Sequence, residues 1–205
     1  MYHSHESLQF SLEKSISNLK DMRLSFTIQS LAFVPLFVVV VHAVVIAAED
    51  GNSPEEAMFP AMFVFGDSLV DNGNNNRLNS LARSNYLPYG IDFDGGQPTG
   101  RFSNGKTIVD FIGELLGLPD IPAFMETMDG GVDVLRGVNY ASAAGGILEE
   151  TGRHLGERFS MRRQVENFDK TLMEISRGIG SVTEYMAKSL VVVSLGNNDY
   201  INNYL

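Results

Sequence analysis

The fold of this chain is organised around the stretch FVFGDSLVDNGNN, which occupies residues 63–75. A short apolar run stops abruptly at Gly66, as a buried strand does before a turn. Asp67 and Ser68 follow, and then comes a loop rich in asparagine and glycine, residues that favour turns. A hydroxyl directly after a strand and a tight turn is well placed for a nucleophile. Ser68 is therefore a candidate catalytic residue, and a helix N-cap is its alternative role.

Two later stretches repeat this order of strand, turn and small residues. They are VNYASAAGG at residues 138–146 and VVVSLGNND at residues 191–199. Strands are predicted at residues 62–65, 137–141 and 190–194, and helices at 106–116, 159–176 and 181–189. Strands alternating with helices of this length predict parallel βαβ units, and hence an α/β fold. Ligands of such sheets bind beyond the carboxyl ends of the strands, so we expect the three turns to form one site.

The longest predicted helix, residues 159–176, has an amphipathic pattern. Val165, Phe168, Leu172 and Ile175 recur at spacings of three and four. The opposite face carries charged residues, namely Arg162, Arg163, Glu166, Asp169 and Lys170. This spacing predicts that the four apolar side chains face the core.

The later turns add two kinds of hydrogen-bond donor. Gly145 and Gly146 have no side chain, so a main-chain N–H at either one can approach a substrate oxygen closely. The Asn198 amide carries two donor hydrogens that can reach the same oxygen. The alternative roles are a flexible turn for the glycines and a self-stabilised turn for the asparagine.

Composition and motifs exclude several functional classes. The net charge of −10 comes entirely from residues 49–205, and no basic stripe is present, which argues against nucleic-acid binding. The absence of cysteine excludes disulfides and thiolate chemistry. The turn at Ser68 lacks the second glycine of an α/β-hydrolase elbow. No calcium loop or dinucleotide fingerprint is complete, so we expect no metal and no cofactor.

The chain divides into three parts. Residues 1–48 are interpreted as an N-terminal extension and signal peptide, with Met22 as an alternative start, because an almost wholly apolar run from Leu31 ends in small residues at Ala48. Residues 49–60 are a linker, and residues 61–205 are the folded domain. This predicts secretion and no stable membrane span after cleavage. An uncleaved membrane anchor is the alternative.

Taken together, the three motifs resemble those of the plant branch of the GDSL esterase/lipase family, in the SGNH hydrolase superfamily. FGDSLVDxGNN is similar to the first conserved block, GVNYAS through Gly146 to the second, and GNND to the third; GRFSNGK at 100–106 is similar to a stretch of the plant branch. The resemblance implies a three-layer α/β/α, flavodoxin-like fold with a parallel sheet. It also implies a serine hydrolase of carboxylic esters, acting on acyl lipids or acylated small molecules.

The resemblance also implies roles for individual residues. Ser68 is expected to be the nucleophile and Asn198 a side-chain oxyanion donor. A main-chain N–H at Gly145 or Gly146, with Ala144 as the alternative, and the N–H of Ser68 itself would complete the oxyanion hole.

The base of the family is not found in this sequence. It lies in an Asp-x-x-His motif, which is absent here, and the four histidines are His3, His5, His42 and His154. The first three precede the domain, and His154 is predicted to be a surface residue. We therefore expect a C-terminally truncated, partial domain without the catalytic His and Asp. A catalytically inactive binding or regulatory module and a non-functional fragment are the alternative functions.

Overall fold

A computed structural model describes residues 58–204. The predictions for the extension and signal peptide at 1–48, and for most of the linker at 49–60, lie outside these residues. Within them, three strands form a parallel sheet in the order β2-β1-β3. The strands are β1 at Met62–Gly66, β2 at Gly137–Asn139 and β3 at Leu190–Ser194. The prediction of an α/β fold with a parallel sheet is confirmed.

Five α-helices accompany the sheet in this part of the chain. They are α1 at Ile108–Leu115, α2 at Phe124–Thr127, α3 at Met161–Ile175, α4 at Val182–Lys188 and α5 at Asn197–Asn203. Short 3₁₀ turns lie at Asn74–Arg77, Asp94–Gly96 and Arg153–Leu155. Strand β2 ends two residues before its predicted limit, although the N–H groups of Tyr140 and Ser142 still donate to the β1 carbonyls of Val64 and Gly66 at 2.7 and 3.1 Å.

Strand β1 is the centre of the molecule, and all five of its residues are buried. Phe63 and Phe65 point to one face, where their rings lie 5.4 and 5.5 Å from that of Phe168 on α3. Met62 and Val64 point to the other face, in a cluster that includes Val109 and Leu116 from the region of α1. The sheet therefore has helices on both faces, which gives the predicted three α/β/α layers.

The predicted inward face of α3 is partly wrong. Val165 is 40% exposed, whereas Gln164, Asn167 and Thr171 are buried beside Ile175. The helix is rotated relative to the prediction because Gln164 has hydrogen-bond partners inside the protein. Burying a paired amide avoids the loss of hydrogen bonding that normally keeps such groups in water.

Strand β3 lies at one end of the described sheet. Val191 and Val193 of this strand pair with Phe63 and Phe65 of β1. Their side chains are nevertheless 48% and 59% exposed. No helix within residues 58–204 is long and apolar enough to cross a membrane.

Candidate active site

The turn that carries Ser68 is a single helical turn at the end of β1. The Asp67 carbonyl accepts the N–H groups of Val70 and Asp71 at 3.3 and 3.1 Å, and its carboxylate accepts that of Leu69 at 3.0 Å. Burial raises the pKa of the Asp67 carboxyl, and the hydrogen bond from Leu69 lowers it in part. The Ser68 side chain remains partly exposed beyond the carboxyl end of β1. This is the placement that a nucleophile requires.

Gly66 allows this turn to close. A Cβ at this position would lie 2.2 Å from Val70 Cγ2 and 2.7 Å from the carbonyl oxygen of Ser194. No side chain fits there, so the glycine before Asp67 is required by packing rather than by a positive φ.

A glutamine that the sequence analysis did not single out supports the same turn. The Gln164 side chain accepts the N–H of Gly66 at 2.8 Å and donates to the Gly66 carbonyl at 2.8 Å. It also donates to the Phe159 carbonyl at 3.0 Å, and the residue is fully buried. Gln164 and Gly66 are 98 positions apart in the sequence, so no local sequence pattern predicts this contact.

Asp71 ties the first turn to the second. Its buried carboxylate accepts the N–H groups of Gly73 and Asn74, each at 2.8 Å, and that of Ala143 at 3.1 Å. Burial raises the pKa of this carboxyl to about 6, even though the main-chain donors lower it. The loop after Ser68 is thereby fixed to the segment that contains Gly145 and Gly146.

The asparagines of this loop have a role beyond the predicted turn formation. Asn74 donates to the carbonyls of Asn139 and Ala141, both at 2.8 Å. Asn75 donates to the Ala143 carbonyl at 3.0 Å and accepts the Ser142 hydroxyl at 2.6 Å. Both asparagines are buried, so they crosslink two strand ends in the interior.

The two candidate glycines differ in their hydrogen bonds. The N–H of Gly145 donates to the Ser142 carbonyl at 3.0 Å, and the Gly145 carbonyl accepts the Asn198 amide at 2.9 Å. A Cβ at Gly146 would lie 2.5 Å from Thr151 and 2.7 Å from the Asp199 carboxylate. The structure therefore brings Asn198 against the peptide of Gly145.

Asp199 connects the third strand end to the second. Its carboxylate accepts the N–H groups of Ile147 and Leu148 and the hydroxyl of Thr151, at 2.8 to 2.9 Å. Burial raises the pKa of this carboxyl, but the three donors outweigh it and hold the pKa below its usual range. The start of α5 is thus held against the segment that follows Gly146.

The first and third strand ends are also neighbours. Gly66 pairs with Ser194 in the register of β1 and β3, and the Asp67 N–H donates to the Ser194 carbonyl at 3.1 Å. The Asn197 amide lies 3.5 Å from the Asp67 carboxylate. All three predicted turns therefore meet at the carboxyl end of the sheet.

Two other features lie away from the carboxyl end of the sheet. His154 is exposed on the 3₁₀ turn Arg153–Leu155. A cavity of about 460 Å³ is lined by residues that include Asn72, Arg101 and Arg136, but by none of the candidate site residues. Within residues 58–204, no three acidic or histidine side chains converge as a metal site would require.

Comparison with known proteins places the chain in a family. The family model described as GDSL-like lipase/acylhydrolase matches residues 62–205. The Arabidopsis thaliana protein named GDSL esterase/lipase At5g08460 is 77% identical over 94% of this chain and 50% of its own length. GDSL esterase/lipase 7 and GDSL esterase/lipase At1g29670 of the same plant are 52% and 57% identical over 73% of this chain, and over 42% and 41% of their own lengths. The chain thus spans about half the length of these curated relatives. No solved structure gave a significant match.

Proposed function

The chain belongs to the GDSL-like lipase/acylhydrolase family, and on that premise we propose that its domain carries the nucleophile and the oxyanion donors of a carboxylic ester hydrolase. The observation that carries the proposal is the contact of the Asn198 amide with the Gly145 peptide at 2.9 Å, beside the turn of Ser68. An amide from one strand end, main-chain N–H groups from a second and a hydroxyl from a third are the parts of an acyl-transfer site.

In the proposed mechanism, Ser68 Oγ attacks the ester carbonyl and its proton passes to a base. The base passes this proton to the alcohol as the ester bond breaks. Water, deprotonated by the same base, then attacks the acyl-serine, which releases the acid and returns a proton to Ser68 Oγ. Asn198 uses one amide hydrogen on the Gly145 carbonyl, and the second is assigned to the oxyanion. Since the Gly145 N–H already donates to Ser142, we assign the main-chain donor to Gly146, together with the N–H of Ser68.

We further propose that these 205 residues do not supply the base. The chain contains no Asp-x-x-His sequence, and His154 is exposed on a 3₁₀ turn that carries none of the site residues. Serine without a base is a weak nucleophile, so the chain on its own would retain only what the oxyanion donors and binding contribute. Acyl lipids or acylated small molecules are the proposed substrate class.

A chimera tests this proposal. Residues 1–205 are fused in frame to the remaining part of the 77% identical Arabidopsis relative, and turnover of p-nitrophenyl butyrate is measured for the chimera and for the chain alone. We expect turnover by the chimera, loss of at least 10³-fold in its Ser68→Ala variant, and background rates for the chain alone.

The matched control is Ser176→Ala, which removes an exposed hydroxyl at the other end of α3. A folded chimera without turnover would overturn the proposed hydrolase. Ser68-dependent turnover by the chain alone would overturn the proposed lack of a base and also the inactive binding module.

We also propose that the protein is secreted. Support comes from the apolar run that begins at Leu31 and the small residues that end it at Ala48. A fluorescent reporter fused after residue 60 should reach the medium of plant cells, and a reporter fused to residues 49–60 alone should stay inside. Retention of the first reporter in membranes would favour the uncleaved anchor.

A further inference from the structure

We propose that Gln164 is a positioning residue for the nucleophile, and that it acts by fixing the peptide groups of Gly66. This inference rests on the proposed role of Ser68, but the hydrogen bonds that carry it do not. Gln164 lies on α3, 98 residues from Gly66 in sequence, and is fully buried.

The Gln164 side chain pairs with both main-chain groups of Gly66. Gln164 Oε1 accepts the Gly66 N–H at 2.8 Å, and Gln164 Nε2 donates to the Gly66 carbonyl at 2.8 Å. One amide side chain therefore satisfies both main-chain groups of the last residue of β1, as a neighbouring strand residue otherwise does. The second hydrogen of Nε2 goes to the Phe159 carbonyl at 3.0 Å, so all of the polar atoms of this side chain are engaged.

This pairing lies directly before the turn that carries Ser68. The peptide unit that joins Gly66 to Asp67 is held on its oxygen by Gln164 and by the N–H of Ser142, at 3.1 Å, and on its nitrogen by the Ser194 carbonyl. Ser68 comes one residue later. Rotation of this peptide unit would swing the Ser68 hydroxyl relative to the donors on the other two strand ends. Gln164 restricts that rotation from inside the core.

The hydrogen bonds of Gln164 can be separated from its contribution to packing. An apolar side chain of the same length would fill the same volume, and Met is the closest match to Gln in shape. Such a replacement keeps the core filled but leaves the Gly66 groups without these partners. A positioning role therefore predicts a change at residue 68 in a protein that is still folded.

The experiment uses the full 205-residue chain, which contains no cysteine. Ser68→Cys introduces a single thiol at the nucleophile position. Its rate of exchange with 2,2′-dithiodipyridine is measured from pH 4 to 9, which gives both the reactivity and the pKa of the thiol. The same variant is then combined with Gln164→Met, with Gln164→Glu and, as a matched control, with Gln97→Met. Gln97 is exposed on the surface.

We expect Gln164→Met to change the exchange rate at pH 7 by at least threefold and to move the thiol pKa toward about 8.5, the value of an unperturbed cysteine. Gln97→Met should leave both unchanged. Gln164→Glu covers the case in which the Met variant does not fold. A protonated carboxyl can still pair with both Gly66 groups, whereas an ionised one can only accept, so its rate profile should show an added inflection below pH 8.

Circular dichroism and thermal melting establish which variants are folded. Lower melting temperatures with an unchanged thiol profile in both Gln164 variants would overturn the inference and leave Gln164 a purely structural residue. Because thiol exchange needs neither a base nor an ester, an inactive chimera with a shifted thiol profile would overturn the proposed hydrolase alone. An active chimera with an unchanged profile would overturn the role of Gln164 alone.

Discussion

Asp71 shows how one buried carboxyl couples the site to pH. Its folded pKa of about 6 lies above the ordinary value of 3.8 because of burial. A raised carboxyl pKa means that the folded state holds the proton more tightly, so its contribution to stability is fully present below the ordinary pKa of 3.8 and is lost as the pH rises from there through about 6. Asp71→Asn removes this titration.

Urea unfolding of the parent and the Asp71→Asn variant at pH 4, 5, 6 and 7 measures the effect. The free energy of unfolding of the parent should fall relative to the variant by up to about 3 kcal/mol over that range, since one pKa unit corresponds to about 1.4 kcal/mol. A difference between the two proteins that stays constant with pH would contradict the assignment.

Asn198 is the residue on which the proposed oxyanion hole depends. Asn198→Ala in the chimera should lower kcat by about 10²–10³-fold with a smaller effect on KM, because the donor acts on charge that develops in the transition state. Asn85→Ala, which removes an exposed amide elsewhere, serves as the control. An equal loss in both variants, or a loss confined to KM, would contradict the assigned role.

At this scale the sequence was informative where a local motif carries the chemistry. Ser68 and Asn198 lie two and four residues after the end of a strand, so their placement at the carboxyl end of the sheet followed from the fold class. The burial of Asn74 and Asn75 and the role of Gln164 did not follow. Their side-chain partners lie between 51 and 98 residues away, except Ala82 for Asn75 and Phe159 for Gln164, and a single sequence does not reveal such distant pairs.

Among the elements, α1 is joined to the loop before it by a buried ion pair. The Arg101 guanidinium donates twice to the Asp110 carboxylate at 2.8 Å, and both side chains are nearly inaccessible. Burial raises the pKa of Asp110, but Arg101 and Thr107 outweigh it and keep the pKa low. Arg101→Met should reduce the free energy of unfolding by about 3–5 kcal/mol, because it leaves a buried charge without its partner.

The same urea titration on Arg177→Met supplies the control, since Arg177 is exposed beyond α3. Combining Arg101→Met with Asp110→Leu should recover much of the loss, as both charges are then gone. A loss below about 1 kcal/mol in the single variant, the range of exposed pairs, would show that the pair is solvated.

The start of α3 offers a smaller effect. Ser160 is its N-cap, and the side chain accepts the N–H of Arg163 at 3.4 Å. Ser160→Ala should lower the free energy of unfolding by about 1 kcal/mol, whereas Ser176→Ala at the other end should change it by less than half as much. Equal effects in thermal or urea unfolding would indicate that the cap contributes nothing specific.

The three strands and the helices α1, α3 and α4 were predicted within two residues, because hydrophobic periodicity and glycine or serine at the ends define them. The short helices α2 and α5 were not predicted. The inward face of α3 was not predicted correctly either. Periodicity ranks residues by hydropathy, so it assigned Val165 to the core and did not select Gln164. In the structure Val165 is exposed and Gln164 is buried, because a glutamine whose amide is paired can lie inside the protein.

For the whole molecule, alternation of strands and helices predicted the parallel sheet, and the family resemblance implied the three layers. It did not predict that β1 lies between β2 and β3, since strand order depends on which connections pack together. The central position of β1 is what places Ser68 between the two strand ends that carry its proposed partners.

Covalent trapping tests the central claim, that Ser68 is the nucleophile of an ester hydrolase, most directly. A fluorophosphonate reacts with an activated serine when Oγ displaces fluoride from phosphorus, and peptide mass spectrometry then locates the adduct. In the chimera with the second half of the Arabidopsis relative, we predict that the adduct lies on Ser68, that it is absent from Ser68→Ala, and that labelling and esterase activity disappear together. An active chimera whose adduct lies on another residue, or whose activity survives Ser68→Ala, would contradict the claim.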